Sequence, residues 1–282
     1  MSSLSEMLDV FDVESVGEHQ YRGHHEAGDR AVIDGSQVLA QSIVAATKSA
    51  PGKVVRSAHA IFGSAIDAAT PIELAVEVVR DGRTVATVRV VGTQGGRVKT
   101  DALILLDVPQ PDVVRRSAAL PAAKGPDDAI ARAMPLDGRE LRLVDIVDEN
   151  DPDFVGPPVL DAWLRYTPAP TRDDLVRALL AHFTGHLSIS TAMFPHAGLG
   201  TAQSHRTIST APLTITVAFH EPVSADGWLL YHHESTQIGA GMSYTRGQIF
   251  RASGELIASF TQEAMIRAVD APAQQLAEKA RL

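Results

Sequence analysis

The sequence contains no cysteine, which removes disulfides, thiolate metal sites and cysteine nucleophiles together. It also lacks an excess of positive charge: 25 Lys plus Arg stand against 34 Asp plus Glu, a formal net charge of -9. A nucleic-acid partner calls for a basic surface to neutralise phosphates, so the balance argues against that class. No apolar run approaches the roughly 18 residues needed to span a bilayer. The longest, Ala102 to Leu106 and Leu213 to Phe219, have strand dimensions. The first residues carry Glu6, Asp9, Asp12 and Glu14 with neither a basic segment nor an apolar stretch, which predicts no secretory signal and a cytoplasmic protein. What remains is ordinary globular composition, 45% hydrophobic and 21% charged, enough to fold around a core.

Apolar periodicity organises that core into a repeated order. Gly35 to Ser49 places Leu39, Ile43 and Ala46 at helical spacing. Four strand-like runs follow: Val54 to Phe62, Ile72 to Val79, Thr84 to Gly92 and Val98 to Val108, with turn signals at Pro71, Asp81-Gly82 and Gly95-Gly96. Five prolines between Pro109 and Gly138 then mark a linker. Beyond it come a strand-like Leu141 to Ile146, the Trp163 region and a helix from about Thr171 to Thr191, with Thr171 as candidate N-cap. Four more strands close the pattern: Leu213 to His220, Trp228 to Thr236, Ser243 to Phe250 and Glu255 to Arg267. Helix then four strands, twice, predicts a duplicated α+β chain with a first unit at 1–108, a linker at 109–138, a second unit at 139–268 and a tail at 269–282.

Polar residues interrupt the apolar faces of the second unit. A step of 100° per residue puts Leu175, Leu179, Phe183, His182 and His186 within about a third of the helix circumference, with His186 nearest its middle. On the last strand Leu256, Ala258, Phe260, Gln262 and Ala264 share a face, on which Gln262 alone carries a polar side chain. The run Trp228, Leu230, His232, Glu234, Thr236 passes from apolar to polar along one face. A helix-borne imidazole facing an amide and a hydroxyl is one way to build a small hydrolytic site; satisfied structural groups are the plainer account of each residue alone.

Other motifs carry less. His182 and His186 have the spacing of a helical metal pair but lack the glutamate of a zinc peptidase and an identifiable third ligand. No Gly-x-Ser-x-Gly elbow occurs, and Gly92-Thr93-Gln94-Gly95-Gly96 matches neither a P-loop nor a dinucleotide fingerprint. No metal or cofactor is therefore expected.

Several segments, taken in order, resemble the acyl-CoA thioesterase II family. They are Tyr21-Arg22-Gly23, Gly35-Ser36-Gln37-Val38-Leu39-Ala40-Gln41, His59 with Phe62, Arg80-Asp81-Gly82-Arg83 and Phe219-His220-Glu221-Pro222. Trp228-Leu229-Leu230-Tyr231, Glu234-Ser235-Thr236, Arg246-Gly247 and Gly254-Glu255-Leu256-Ile257-Ala258-Ser259 with Gln262-Glu263 complete the series. The resemblance implies a double hotdog, two tandem units each wrapping a sheet around a long helix. It also implies hydrolysis of acyl-CoA to fatty acid and CoA by water, using an Asp on the second helix and a Thr and a Gln on strands of the second unit. Carried onto this chain, the Thr falls on Thr236, the Gln on Gln262 and the Asp position on His186. Thr214-Ile215 stands where many relatives carry Asp-His. The imidazole at the Asp position keeps open a second expectation, a non-hydrolytic acyl-CoA or acyl-chain binding protein. An enoyl-CoA hydratase fits less well, because Asp148-Glu149-Asn150-Asp151-Pro152-Asp153 lacks that reaction's histidine. Arg22, Arg56 and Arg246 are candidates for a basic rim toward CoA. Sheet edges predict a homo-oligomer.

Overall fold

The computed structural model describes residues 3–269 apart from 29, 134, 135 and 205; the expected tail lies outside them except for Val269. The first half runs α1 (Leu4–Phe11), β1 (Glu14–Gly17), β2 (Gln20–Gly23), α2 (Gly35–Ser49), β3 (Val54–Phe62), β4 (Ile72–Asp81), β5 (Val85–Gln94) and β6 (Arg97–Asp107). The second runs β7 (Ile130–Arg132), β8 (Arg139–Leu143), β9 (Val159–Tyr166), α3 (Asp173–Phe183), α4 (Ser188–Met193), β10 (Ile208–Phe219), β11 (Leu229–Gly239), β12 (Met242–Arg251) and β13 (Leu256–Ala268). All thirteen strands join one antiparallel sheet in the order β1-β2-β4-β5-β6-β3-β10-β13-β12-β11-β9-β8-β7. The halves meet where β3 pairs β10, from Ile61 opposite Thr214 to Ser57 opposite Ala218. Helices packed on one face of a continuous duplicated sheet make this the double-hotdog α+β fold.

Three features depart from the sequence pattern. The acidic start is the outer face of α1, an amphipathic helix that buries Leu4, Met7 and Phe11 and begins with a reciprocal Ser3–Glu6 cap. The hairpin β1–β2 was also unmarked, because its four-residue strands are too short for a periodic signal. The proline-rich segment is more than a tether. It contributes β7 to the sheet edge, and Leu120 and Ala123 pack on an outer-face cluster of Trp163, Leu230, Phe250 and Leu256. Trp163 Nε1 donates to Lys124 O at 2.8 Å beneath it. Leu256 is thus on the opposite face from Ala258, because a bulge between Ile249 and Phe250 breaks the two-residue alternation.

The two central helices lie side by side and antiparallel. Lys48, in the last turn of α2, and Arg172, just before α3, both bridge Asp12, at 2.6 and 2.5 Å. The hydrogen bond from Arg172 is the main reason the Asp12 carboxyl is pulled down to about 2. At the other end, the start of α2 therefore lies against the exit of α3, and both ends of the helix pair are tied between halves.

Candidate functional site

The second helix is broken. In place of one helix from Thr171 to Thr191, α3 starts after Arg172, stops at Phe183, and the chain turns through Thr184 to Leu187 before resuming as α4. Leu187 sits at φ 66°, a left-handed conformation that an aliphatic residue adopts only under constraint from its surroundings. Gly185 supplies the close approach. A Cβ there would stand 2.6 Å from both Cβ and Oγ of Ser36 in the first turn of α2. Two strand side chains catch carbonyls at the break: Gln262 Nε2 donates to Gly185 O at 3.2 Å and Thr245 Oγ1 donates to Ser188 O at 3.1 Å. Gln262 and Thr245 are partners across β13 and β12, so they act from adjacent points on the sheet.

His186 stands within this break. Its Nδ1 lies 3.2 Å from His182 O, and because a carbonyl only accepts, that nitrogen carries the proton and Nε2 keeps its lone pair. The ring stacks on Phe183 with centroids 5.1 Å apart and an interplanar angle of 4°. Burial pushes its pKa below the usual histidine value, with Arg139 and Arg30 acting in the same direction and Asp34 against it. His182, fully covered and packed on Phe11, is pushed well below its ordinary range by burial. Gln262 is 1% exposed, and its Oε1 has no partner among the described residues.

Opposite the break is Asp34, the N-cap of α2. Its Oδ1 accepts from Ser36 N and Ser36 Oγ, both at 2.9 Å. Its Oδ2 is 4.0 Å from His186 Nε2. A cavity of about 460 Å³ opens beside them, walled by Asp34, Gly35, Gly185, Ile189, Thr210 and Met265. Apolar side chains beside an acid, a hydroxyl and a helix start suit a ligand that is largely hydrocarbon with one reactive polar group.

His186 and Gln262 thus come together at one turn; Thr236 does not join them. On β11 the residues that enter the main core are Leu229, Tyr231 and His233, so the run Leu230, His232, Glu234 faces away from the helices. A bulge between Ser235 and Gln237 leaves Thr236 exposed. A threonine that does line the cavity, beside Ser64 and Ser209, is Thr210, at the start of β10 and ahead of the expected strand, where no pattern marks it. Asp34 was not singled out in the sequence; its place just before a helical run signals an N-cap and nothing more. The three arginines considered for a basic rim each hold a carboxylate: Arg22 with Glu73, Arg56 with Asp107 and Arg246 with Glu234, at 2.8 to 2.9 Å. Among the described residues no helix is long and apolar enough to cross a membrane.

Residues 25–106 match the profile of the acyl-CoA thioesterase N-terminal domain, and residues 117–266 that of the acyl-CoA thioesterase C-terminal domain. The chain is similar to acyl-CoA thioesterase 2 of Haemophilus influenzae, 27% identical over 94% of this chain and 98% of that one. It is 26% identical to acyl-coenzyme A thioesterase 8 of Mus musculus, over 92% and 88%. Among solved structures, an acyl-CoA thioesterase II from Mycobacterium marinum aligns at a TM-score of 0.79 with 27% identity, covering 94% of this chain and 98% of that one. A protein from Mycobacterium avium subspecies paratuberculosis shares the fold at 0.80 with 23% identity, over 94% and 99%.

Proposed function

The chain belongs to the acyl-CoA thioesterase II family, and from that premise we propose that it hydrolyses acyl-CoA to fatty acid and free CoA by direct attack of water at the helix break. The observation that carries this reading is the meeting of His186 and Gln262 at Gly185, beside a cavity with apolar walls. His186 is the base. Its Nε2 is an acceptor, and burial keeps it unprotonated at neutral pH. Gln262 holds the turn through Nε2, and its free Oε1 is an acceptor for a water. The resemblance assigns a threonine on a strand of the second unit, and Thr210, on the cavity wall, takes that role in place of Thr236. Gly35 puts the start of α2 on the same wall, and the positive end of the helix dipole there would favour the negative charge of a thioester oxyanion. The same exposed sheet face that shows Ile61, Leu103 and Leu105 supports the further reading that copies of the chain associate.

The test follows free thiol from acyl-CoAs of several chain lengths, with binding measured in parallel. His186→Ala is expected to lower kcat by about 10²- to 10⁴-fold and Gln262→Ala by about 10²-fold. The competing account, a protein that holds acyl-CoA without cleaving it, rests on the imidazole at the family's aspartate position. Tight binding with no thiol from the wild type would establish it, and thiol release that survives both substitutions would reject the site.

A further inference from the structure

The helix start of the first half carries an acid that the hydrolytic reading has not used. His186 Nε2 and Asp34 Oδ2 are 4.0 Å apart, beyond the 2.7 to 3.2 Å of a direct hydrogen bond. With Nδ1 donating to His182 O, the neutral ring offers only a lone pair on that side, and a carboxylate is an acceptor as well. Two acceptors at this spacing suit one water as donor to both. An oxygen about 2.8 Å from each would subtend about 90° between them, close to the angle between the two O–H bonds. Asp34 is aimed for this: Ser36 N and Oγ occupy Oδ1, which turns Oδ2 toward the break. Gly185 keeps the two elements together, since any side chain there would strike Ser36.

We propose that Asp34 is a catalytic residue, holding the attacking water jointly with His186, so that the reacting group is shared between the start of α2 and the break after α3. This rests on the hydrolytic reading above. One water proton passes to His186 Nε2 while the water oxygen forms a bond to the thioester carbon and the carbonyl electrons move onto oxygen. The oxyanion then re-forms the C=O bond, the C–S bond breaks, and the sulfur takes the proton back from Nε2 as a thiol. The fatty acid leaves as its carboxylate after losing its own proton to solvent. Asp34 accepts the second hydrogen bond of the water through Oδ2 and faces the imidazolium while it exists.

The charged and titratable groups around His186 are His182 on its own helix, Asp34, Arg30 ahead of α2 and Arg139 on β8. Asp34 is the only acid among them. Removing it leaves the imidazolium with cationic neighbours alone, so the ring must titrate lower. The experiment compares wild type with Asp34→Asn and Asp34→Ser; both replacements are good helix N-caps, so α2 keeps its start, and if one variant fails to fold the other decides. The readouts are kcat and KM for octanoyl-CoA and palmitoyl-CoA across pH, and NMR titration of the His186 ring. The expected result is a kcat about 10²-fold lower with KM little changed. The acid limb of the rate profile and the His186 titration should both move down by about one pH unit. An active wild type whose variants keep its rate, or lose rate with no change in the His186 titration, overturns the assignment of Asp34 and leaves the hydrolytic reading intact. A wild type that releases no thiol overturns the hydrolytic reading, and the catalytic role of Asp34 with it.

Discussion

The two central helices occupy equivalent places on one sheet, yet they are built for different work. α2 is unbroken over 15 residues, and its buried polar groups are hydroxyls and amides, several of them turned to the backbone: Ser42 Oγ donates to Val38 O, Gln37 Nε2 to Glu26 O, and Gln41 Nε2 to Val10 O and His24 O. The glutamine bonds pin α1 and the segment after β2, and none of these bonds involves a group that titrates. The second helix stops after 11 residues; beside Asp174 and Arg177 it buries an imidazole, His182, with the half-buried His186 just beyond it and the buried His233 on β11. The continuous helix is a scaffold; the interrupted one brings a turn, Gly185, to the cavity wall with the lone pair of His186 beside it. The two halves thus repeat one frame, and the proposed site lies where one copy gives up helical hydrogen bonds and the other presents a helix start to the gap.

If titratable chemistry is concentrated in the second half, acid should reveal it, and this is the largest effect expected on stability. His233 is fully buried and burial pushes its pKa down to about 4. For a base with a depressed pKa, the unfolded chain takes up a proton near pH 6.5 while the folded chain does not until about 4. Stability is thus intact above about 6.5 and falls steadily toward pH 4, by roughly 3 kcal/mol from this residue. Denaturant melts across that range should show the slope, and His233→Phe, which keeps a ring beside Phe260, should flatten it. An unchanged slope in the variant would break the contrast between the halves.

Gly185→Ala probes the contact between the helices directly. Its Cβ would press on backbone-anchored Ser36 rather than on a flexible tip, so the break and α2 must separate. The expected cost is about 1 to 3 kcal/mol in chemical denaturation. A loss of about tenfold in kcat should accompany it, because small displacements of catalytic groups are amplified in rate. The matching change on the scaffold helix, Ser42→Ala, removes one hydroxyl bond and should leave kcat unaltered.

Much of the frame was legible because it rests on periodicity. The eight long strands paired around α2 and the helix break were marked as strand-like runs, those of the first half between turn signals, and the two helices by apolar stripes. The site was legible only in part. His186 and Gln262 stood out as polar residues on apolar faces, and both lie at the break. The break itself left no mark, since Leu175, Leu179 and Phe183 form an unbroken stripe up to it, while the left-handed turn at Leu187 comes from tertiary contacts rather than from any residue preference. Asp34 could not be joined to His186 by local reasoning, because their proximity depends on the antiparallel packing of helices from different halves.

Thr236 is where alternation misled, and it gives the smallest expected effect. Counting by twos along β11 requires an unbroken ladder, and parity had to be chosen before the sheet was known. The structure puts Tyr231 and His233 inward, which sends the even positions out, and the bulge after Ser235 leaves Thr236 in solvent. An exposed hydroxyl without a site to serve is worth little, so Thr236→Ala should change kcat by less than about twofold and stability by less than about 0.5 kcal/mol. Thr210→Ala, on the cavity wall, should lower kcat by about tenfold under the same assay. Should the two results be exchanged, β11 and not β10 would carry the hydroxyl.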